Sequence, residues 1–191
     1  AGAVVVTEAE LVVAREILGH PAARRIIVCE KCGVIYCPVP KTATSAWKVV
    51  LRSLAGLPQA MSLDVAHSRQ RSGFVFLESF SEEAVAGMLR NSSVLKFAFV
   101  RDPFLRHLST YLDKFLGKPR DSEMYKVFMA QLLTWKHIKT HNITTDERPT
   151  FETYSRKIVA QSALEMNEHW ASQVELCALD LFPYDFIGRL E

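Results

Sequence analysis

The chain has 191 residues, of which 49% are hydrophobic and 23% are charged, and its formal net charge is +2. This length supports one domain with a substantial core, and the composition excludes an intrinsically disordered chain. The small net charge does not favour a general nucleic-acid binder, so we expect no nucleic-acid partner. No apolar stretch approaches the roughly 20 residues that span a bilayer, and no signal-peptide pattern is visible.

Helical and strand patterns alternate along the chain. An amphipathic helix is expected over 7–19, where Thr7 and Glu10 have the spacing of a capping box. The apolar runs 26–28 and 34–36 can pair as a hairpin or enter the sheet separately. Further helices are expected over 79–91, 122–137 and 150–162, with irregular loops over 57–73 and 140–149. Strands separated by helical segments indicate an α/β fold with a parallel sheet and helices on both faces.

The segment 34–56 has the pattern of a strand, a turn and a helix. Pro38 and Pro40 end the strand, because proline lacks an amide donor and disfavours helix at the preceding residue. The turn 41–45 then lies at a helix amino terminus, where free amides and the helix dipole favour an anion. Lys41 adds a cation, and the turn's hydroxyl groups add donors. The alternative is a capped surface helix beside a solvated lysine. The expected apolar face of this helix consists of Trp47, Val50, Leu51 and Leu54.

The turn does not match the loop that binds nucleoside triphosphates in kinases and ATPases. That loop needs glycines before a late lysine, followed by a hydroxyl group that binds Mg²⁺. Here no glycine lies between Pro38 and Leu51, and Lys41 opens the loop. A kinase is therefore disfavoured.

A second strand-turn-helix segment begins at 95–100. Asp102 is expected to cap the helix, with Pro103 in its first position. Arg101 lies at the carboxyl end of the strand, where open α/β sheets bind ligands, and Ser109 lies two turns into the helix. Both can bind a phosphate group, although Arg101 can instead pair with Asp102 and Ser109 can be a neutral helix residue. The expected apolar face consists of Phe104, Leu108 and Tyr111.

The four cysteines, Cys29, Cys32, Cys37 and Cys177, only loosely match a zinc ribbon. A ribbon needs two Cys-x-x-Cys pairs, and the second pair is missing. We therefore expect disulfides or buried thiols rather than a metal site. The triplets that begin at Asn91 and Asn142 permit N-glycosylation.

Together, the two strand-turn-helix segments resemble the 5′-phosphosulfate and 3′-phosphate loops of sulfotransferases. More narrowly, they are similar to the Golgi carbohydrate sulfotransferases of the chondroitin and dermatan type. The resemblance spans about residues 24–191 and is least distinctive over 112–150. It also rests on the stretches 36–41, 167–170 and 184–189. The chain departs from the family at 43–46, where a Cys-Thr-Asn-like run is common, and at Val49, where a basic residue is common.

The resemblance implies the sulfotransferase fold, a P-loop-like sheet flanked by helices, as a single catalytic domain over 1–191. It also implies that this chain is a fragment, because relatives carry an N-terminal membrane anchor and further C-terminal helices. The intact protein is then expected to be a glycosylated type II membrane protein of the Golgi lumen. The membrane would be a partner only through that anchor.

The implied reaction moves a sulfuryl group from 3′-phosphoadenosine-5′-phosphosulfate to a hydroxyl group of a glycan or glycosaminoglycan, without a metal. Lys41 is expected to be catalytic, because negative charge grows on the leaving oxygen. The expected donor-binding residues are Pro40, Lys41, Thr42, Ala43, Thr44, Ser45, Ala46, Arg101 and Ser109.

A base must accept the proton of the attacking hydroxyl group. His67 is the first candidate, because it lies between the two donor motifs and imidazole titrates near the working pH. His169 is the second candidate and could contact a substrate instead, as could Arg69 and Arg71. Either histidine could also be structural. Two other functions stay open: a kinase that uses ATP and Mg²⁺, and a non-catalytic nucleotide- or anion-binding module.

Overall fold

The computed structural model describes residues 6–133 and 148–191. The helices are α1 Glu8–Gly19, α2 Thr44–Leu54, α3 Leu63–His67, α4 Glu82–Arg90, α5 Pro103–Tyr111, α6 Glu123–Leu132, α7 Phe151–Val159 and α8 Gln173–Cys177. The strands are β1 Ile27–Cys29, β2 Val34–Cys37, β3 Val75–Phe76, β4 Leu95–Arg101 and β5 Phe186–Leu190. Most of the predicted loop 140–149, the end of the predicted helix 122–137 and Asn142 lie outside the described residues. Within these residues, no helix is long and apolar enough to cross a membrane.

The described strands form one sheet in the order β3-β1-β2-β4-β5. Strands β2 and β4 are parallel, whereas β1 is antiparallel to both β2 and β3. The α/β class is confirmed, but the sheet is mixed rather than parallel throughout. The reason is the tight turn Glu30–Cys32, closed by Gly33 at φ +65°. So short a connection can join only antiparallel strands, so the predicted hairpin of β1 and β2 is formed.

The described residues divide into two compact units. The first contains those up to Val100 together with Gln173–Glu191, and the second contains those within Arg101–Ser172. In the first unit, α1 and α4 contribute Ile17 and Val85 to a core around the sheet. The predicted capping box at the start of α1 is confirmed, since Thr7 and Glu10 exchange hydrogen bonds.

Disulfides join Cys29 to Cys32 and Cys37 to Cys177. All four cysteines are therefore paired with each other, so the first of the two predicted alternatives, disulfides rather than buried thiols, is the one formed. The second bridge connects the end of β2 to α8. It therefore anchors the strand that leads directly into the lysine-containing turn.

Aromatic rings hold α2 against the sheet in the first unit. Trp47 stacks on Phe99 with 5.0 Å between the ring centroids, and Tyr36 stacks on Phe97 at 4.9 Å. Gly188 in β5 permits this packing, because a Cβ atom there would lie 2.3 Å from the Phe99 ring. The predicted apolar face of α2 is only partly correct: Leu51 is buried, but Val50 and Leu54 are exposed and Arg52 is buried instead.

Strand β4 is fastened to the residue before β5 by a buried lysine. The Lys96 amide and its ammonium group both bind the Asp185 carboxylate, at 2.8 and 3.0 Å. The Lys96 side chain is 4% exposed and the Asp185 side chain is 45% exposed. Desolvation raises the pKa of Asp185, but the hydrogen bonds and charge of Lys96 outweigh it, so the pKa lies below its ordinary 3.8.

We expect Asp185→Asn to destabilise the protein at neutral pH by about 1–3 kcal/mol, because the buried ammonium loses its counter-charge. A lowered pKa in the folded state means that this stabilisation is complete above pH 3.8 and is lost as the pH falls through the folded value. Denaturant midpoints at pH 7 and pH 3 measure the effect. Lys96→Met is the control, because it leaves a hydrated carboxylate and should cost less. An Asp185→Asn loss of equal size at both pH values would contradict the prediction.

Candidate active site

The turn between β2 and α2 has an unusual backbone. Lys41 and Ala43 both lie in the left-handed region, at φ +73° and +58°. Alternating backbone of this kind turns successive amides toward one side and creates a concavity that binds anions. The hydroxyl groups of Thr42 and Thr44 both donate to the Val39 carbonyl, the first at 2.8 Å. These two hydroxyls therefore brace the turn from within.

The amino terminus of α2 begins without a capping side chain at its N-cap, because that residue is Ala43. In contrast, Thr7, Ser81 and Asp102 cap α1, α4 and α5 with side-chain oxygens. The first-turn amides of α2 and the positive end of its dipole thus favour an anion. Of the other predicted donor-binding residues in this turn, Pro40 is buried, Lys41 is half-buried and Ala46 is exposed.

His67 lies beside this turn. The stretch 57–73, predicted as irregular, contains the short helix α3, which Ser62 caps and which ends at His67. The His67 side chain is exposed, and its Nε2 atom lies 2.9 Å from the Ser45 Oγ atom in the first turn of α2. The structure therefore brings the predicted base candidate against the predicted anion turn.

The two arginines after His67 have different surroundings. Arg69 pairs with the Glu78 carboxylate and lies over the Phe76 ring, 3.9 Å from its centroid. The protein therefore already holds its guanidinium group. Arg71 is exposed, and its Nε atom makes a long hydrogen bond of 3.4 Å to the Ser68 hydroxyl. Of the two, Arg71 is the better candidate for contacting an acidic substrate.

In the second unit, the predicted start of α5 is confirmed. The Asp102 carboxylate accepts hydrogen bonds from the amides of Phe104 and Leu105, at 2.9 and 3.0 Å, and Pro103 occupies the first helical position. Arg101, the last residue of β4, and Ser109 in α5 are both half-buried. Their side chains thus belong to the partly accessible surface of this unit.

The buried face of α5 differs from the prediction. Phe104 is 83% exposed and Leu108 is 39% exposed, whereas Arg106 and Thr110 are buried beside Tyr111. Arg106 donates to the carbonyls of Glu168 and Ala171 at 2.6 and 2.8 Å, and Thr110 donates to that of His169 at 2.9 Å. These carbonyl partners compensate the burial of polar groups.

The same contacts fix the turn that carries His169, within the Asn167–Trp170 stretch. The His169 Nδ1 atom lies 2.7 Å from the Asn167 Oδ1 atom, and the Trp170 indole donates to Gln161 at 2.8 Å. His169 is half-buried, and its imidazole has a structural partner. Arg106 of α5 was missed as a supporting residue, because nothing in the sequence pattern of this helix marks it as buried.

His107 of α5 is a structural histidine. Its ring stacks on Tyr154 with 4.5 Å between centroids, and its Nε2 atom lies 3.0 Å from the Ser155 hydroxyl. Burial lowers the pKa of His107, and the neighbouring Arg106 charge lowers it further. The neutral form of the imidazole is therefore favoured, and the ring is part of the aromatic packing of this unit.

We expect Arg106→Met to destabilise the second unit by about 2–4 kcal/mol, because two half-buried carbonyls lose a charged donor. Arg156→Met is the matched control, since Arg156 lies on α7 with a 78% exposed side chain and should cost less than about 0.5 kcal/mol. Denaturant unfolding measures stability, and hydrogen exchange measures opening of residues 168–171. Equal losses in the two variants would show that the carbonyl contacts are unimportant.

A model of the sulfotransferase family matches residues 24–191, and the chain belongs to this family. Carbohydrate sulfotransferase 14 of Mus musculus is 34% identical over 168 residues, which are 88% of this chain and 43% of that protein. Carbohydrate sulfotransferase 10 of Danio rerio is 30% identical over 179 residues, 87% of this chain and 48% of that protein. The chain thus spans less than half the length of these curated relatives. No solved structure matches it. The resemblance to carbohydrate sulfotransferases is confirmed.

Proposed function

We propose that this chain carries the catalytic core of a carbohydrate sulfotransferase, which moves a sulfuryl group from 3′-phosphoadenosine-5′-phosphosulfate to a glycan hydroxyl group. The observation that carries the proposal is the anion turn of the first unit, with Lys41 in a left-handed backbone and His67 held against Ser45. The negatively charged sulfuryl donor thus finds a cation in Lys41, and the glycan hydroxyl that must lose its proton finds a base in His67. The family match and the names of the relatives support the same reaction.

In this proposal, the donor's phosphosulfate end binds the amides of residues 42–46 and the Lys41 ammonium group. The 3′-phosphate binds Arg101 and Ser109, whose guanidinium and hydroxyl groups suit phosphate oxygens. Small side chains at Ala43 and Ala46 let the backbone approach the ligand closely. Pro40 stiffens the entry to the turn.

In the transfer step, the glycan oxygen forms a bond to sulfur while the bond between sulfur and the bridging phosphate oxygen breaks. The electron pair stays on the bridging oxygen, and adenosine 3′,5′-bisphosphate leaves. Lys41 stabilises the charge that grows on this oxygen, and His67 accepts the proton of the attacking hydroxyl group. His169, already bonded to Asn167, is assigned to substrate contact rather than proton transfer.

We further propose a glycosaminoglycan acceptor, with Arg71 as a contact for its acidic groups. The two disulfides favour an oxidising compartment, in agreement with a Golgi lumenal enzyme. Asn91 is exposed at the end of α4 and is available for glycosylation. The topology of a type II membrane protein is part of this proposal.

Calorimetry with two ligands tests the proposal. Binding of adenosine 3′,5′-bisphosphate without a metal, followed by transfer of label from the donor to a desulfated glycosaminoglycan, is the expected result. A preference for ATP with Mg²⁺ would instead support a kinase. Bisphosphate binding without any transfer would support a non-catalytic module.

Arg101→Ala is expected to weaken bisphosphate binding by about 10- to 100-fold, because a charged hydrogen-bonding pair to the 3′-phosphate is lost. Adenosine 5′-phosphate is the matched ligand, since it lacks that phosphate, and its affinity should stay the same. Calorimetry of both ligands with both proteins measures the difference. A uniform loss for both ligands would show that Arg101 does not bind the 3′-phosphate.

A further inference from the structure

The contact between Ser45 and His67 joins two helices of the first unit. Ser45 is the second residue of α2, and His67 is the last residue of α3. The Ser45 Oγ atom and the His67 Nε2 atom are 2.9 Å apart, which is a normal hydrogen-bond distance. We propose that Ser45 is the positioning residue for His67, an inference that rests on the proposed function.

The hydroxyl groups of the anion turn divide into two roles. Thr42 and Thr44 donate to the Val39 carbonyl and so stay within the turn. Ser45 instead reaches a side chain from another helix. Its hydroxyl is therefore free of the bracing role that its neighbours have, and it is the hydroxyl of this turn that contacts the base.

The approach of His67 to Ser45 is determined by packing on both sides. Val65 and Ala66 are buried and fix α3, and Ser62 caps its first turn. The buried Arg52 of α2 donates to the Pro58 carbonyl, which ties the connection between the helices to α2. Because these contacts hold α3, the exposed imidazole is presented at the amino end of α2.

A hydroxyl group is a suitable partner for a base that changes its protonation state. It can donate to a neutral imidazole nitrogen and can accept from a protonated one. The Ser45 contact can therefore persist before and after proton transfer. Ser45 also contributes its amide to the turn that binds the phosphosulfate, so one residue relates the position of the base to that of the sulfur atom.

The test compares Ser45→Ala, His67→Ala and the double variant. Ser45→Ala should lower kcat by about 10- to 100-fold, a part of the 10²–10⁴ that a positioned base contributes, with donor Kd unchanged within about twofold. The double variant should be no slower than His67→Ala alone, because the two substitutions remove the same function.

Ser45→Thr keeps the hydroxyl and should restore most of the rate. The matched comparison is Thr44→Ser/His67→Ala, which keeps the bracing hydroxyl, against Thr44→Val/His67→Ala, which removes it. The rate loss caused by Thr44→Val should add to the rate loss caused by His67→Ala.

A second readout is independent of turnover. The ¹⁵N resonance of His67 Nε2 should shift in Ser45→Ala and return toward the wild-type position in Ser45→Thr. Additive losses in the double variant, an unchanged resonance, or a loss confined to donor affinity would each overturn the positioning role. Sulfation of Ser45, detected by mass spectrometry after incubation with the donor, would also overturn it, because Ser45 would then be a nucleophile. If the wild-type protein binds bisphosphate but transfers nothing, the proposed function fails, whatever the resonance shows about the contact.

Discussion

Lys41→Ala is expected to lower kcat by about 10²–10³-fold, the usual loss when one preorganised charge-stabilising donor is removed. The effect should fall more on kcat than on donor affinity, because Lys41 also contacts the bound donor but the charge on the bridging oxygen grows only as its bond to sulfur breaks. Alanine keeps the Cβ atom of lysine, so the strain of the left-handed backbone at this position is unchanged. Steady-state kinetics with the donor and a desulfated glycosaminoglycan measure the change.

Lys31→Ala is the control for this experiment. Lys31 is an exposed lysine in the turn between β1 and β2 of the same unit, so its loss makes the same change in net charge. Its kcat should stay within about twofold of the wild type, in line with the small effects of surface substitutions. If Lys41→Ala behaves like Lys31→Ala, the anion turn does not stabilise the leaving group.

Removal of the bridge between Cys37 and Cys177 is expected to lower the free energy of unfolding more than Asp185→Asn or Arg106→Met does. The bridged residues are 140 positions apart, so closing this loop restricts the unfolded chain strongly. The chain-entropy relation gives about 5 kcal/mol for such a loop. The double variant Cys37→Ala/Cys177→Ala should therefore show a much lower denaturant midpoint.

The matched control is Cys29→Ala/Cys32→Ala, whose residues are 3 positions apart. The same relation gives about 2 kcal/mol for so short a loop. Both double variants replace two cysteines by two alanines, so the comparison isolates the length of the closed loop. Equal losses of stability would contradict the entropic explanation for the long-range bridge.

The features that could be predicted from the sequence are those with local causes. The capping box of Thr7, the cap at Asp102 and the proline after it depend on residues within one helical turn, and all three are formed. The turn that leads from β2 into α2 was also predicted, because two prolines, a lysine and the start of a helical pattern lie within a few residues. Such signals need no knowledge of distant partners.

The features that could not be predicted depend on distant partners. Arg52 and Arg106 are buried although neither lies on a predicted apolar face, because backbone carbonyls outside their own helices accept hydrogen bonds from their guanidinium groups. A periodicity argument treats burial as a property of apolar residues and cannot detect this compensation. The contact of Ser45 with His67 depends on α3, which has five residues and is too short to produce a periodic pattern.

Ala43 makes the amino end of α2 unfavourable in the free protein. It holds a left-handed backbone without being glycine, and it offers no oxygen to the first amides of the helix. An anion bound there would supply the missing acceptor, so the ligand would serve as the cap of the helix. Ligand occupancy and folding stability would then be linked, so an anion that binds this turn should raise the free energy of unfolding.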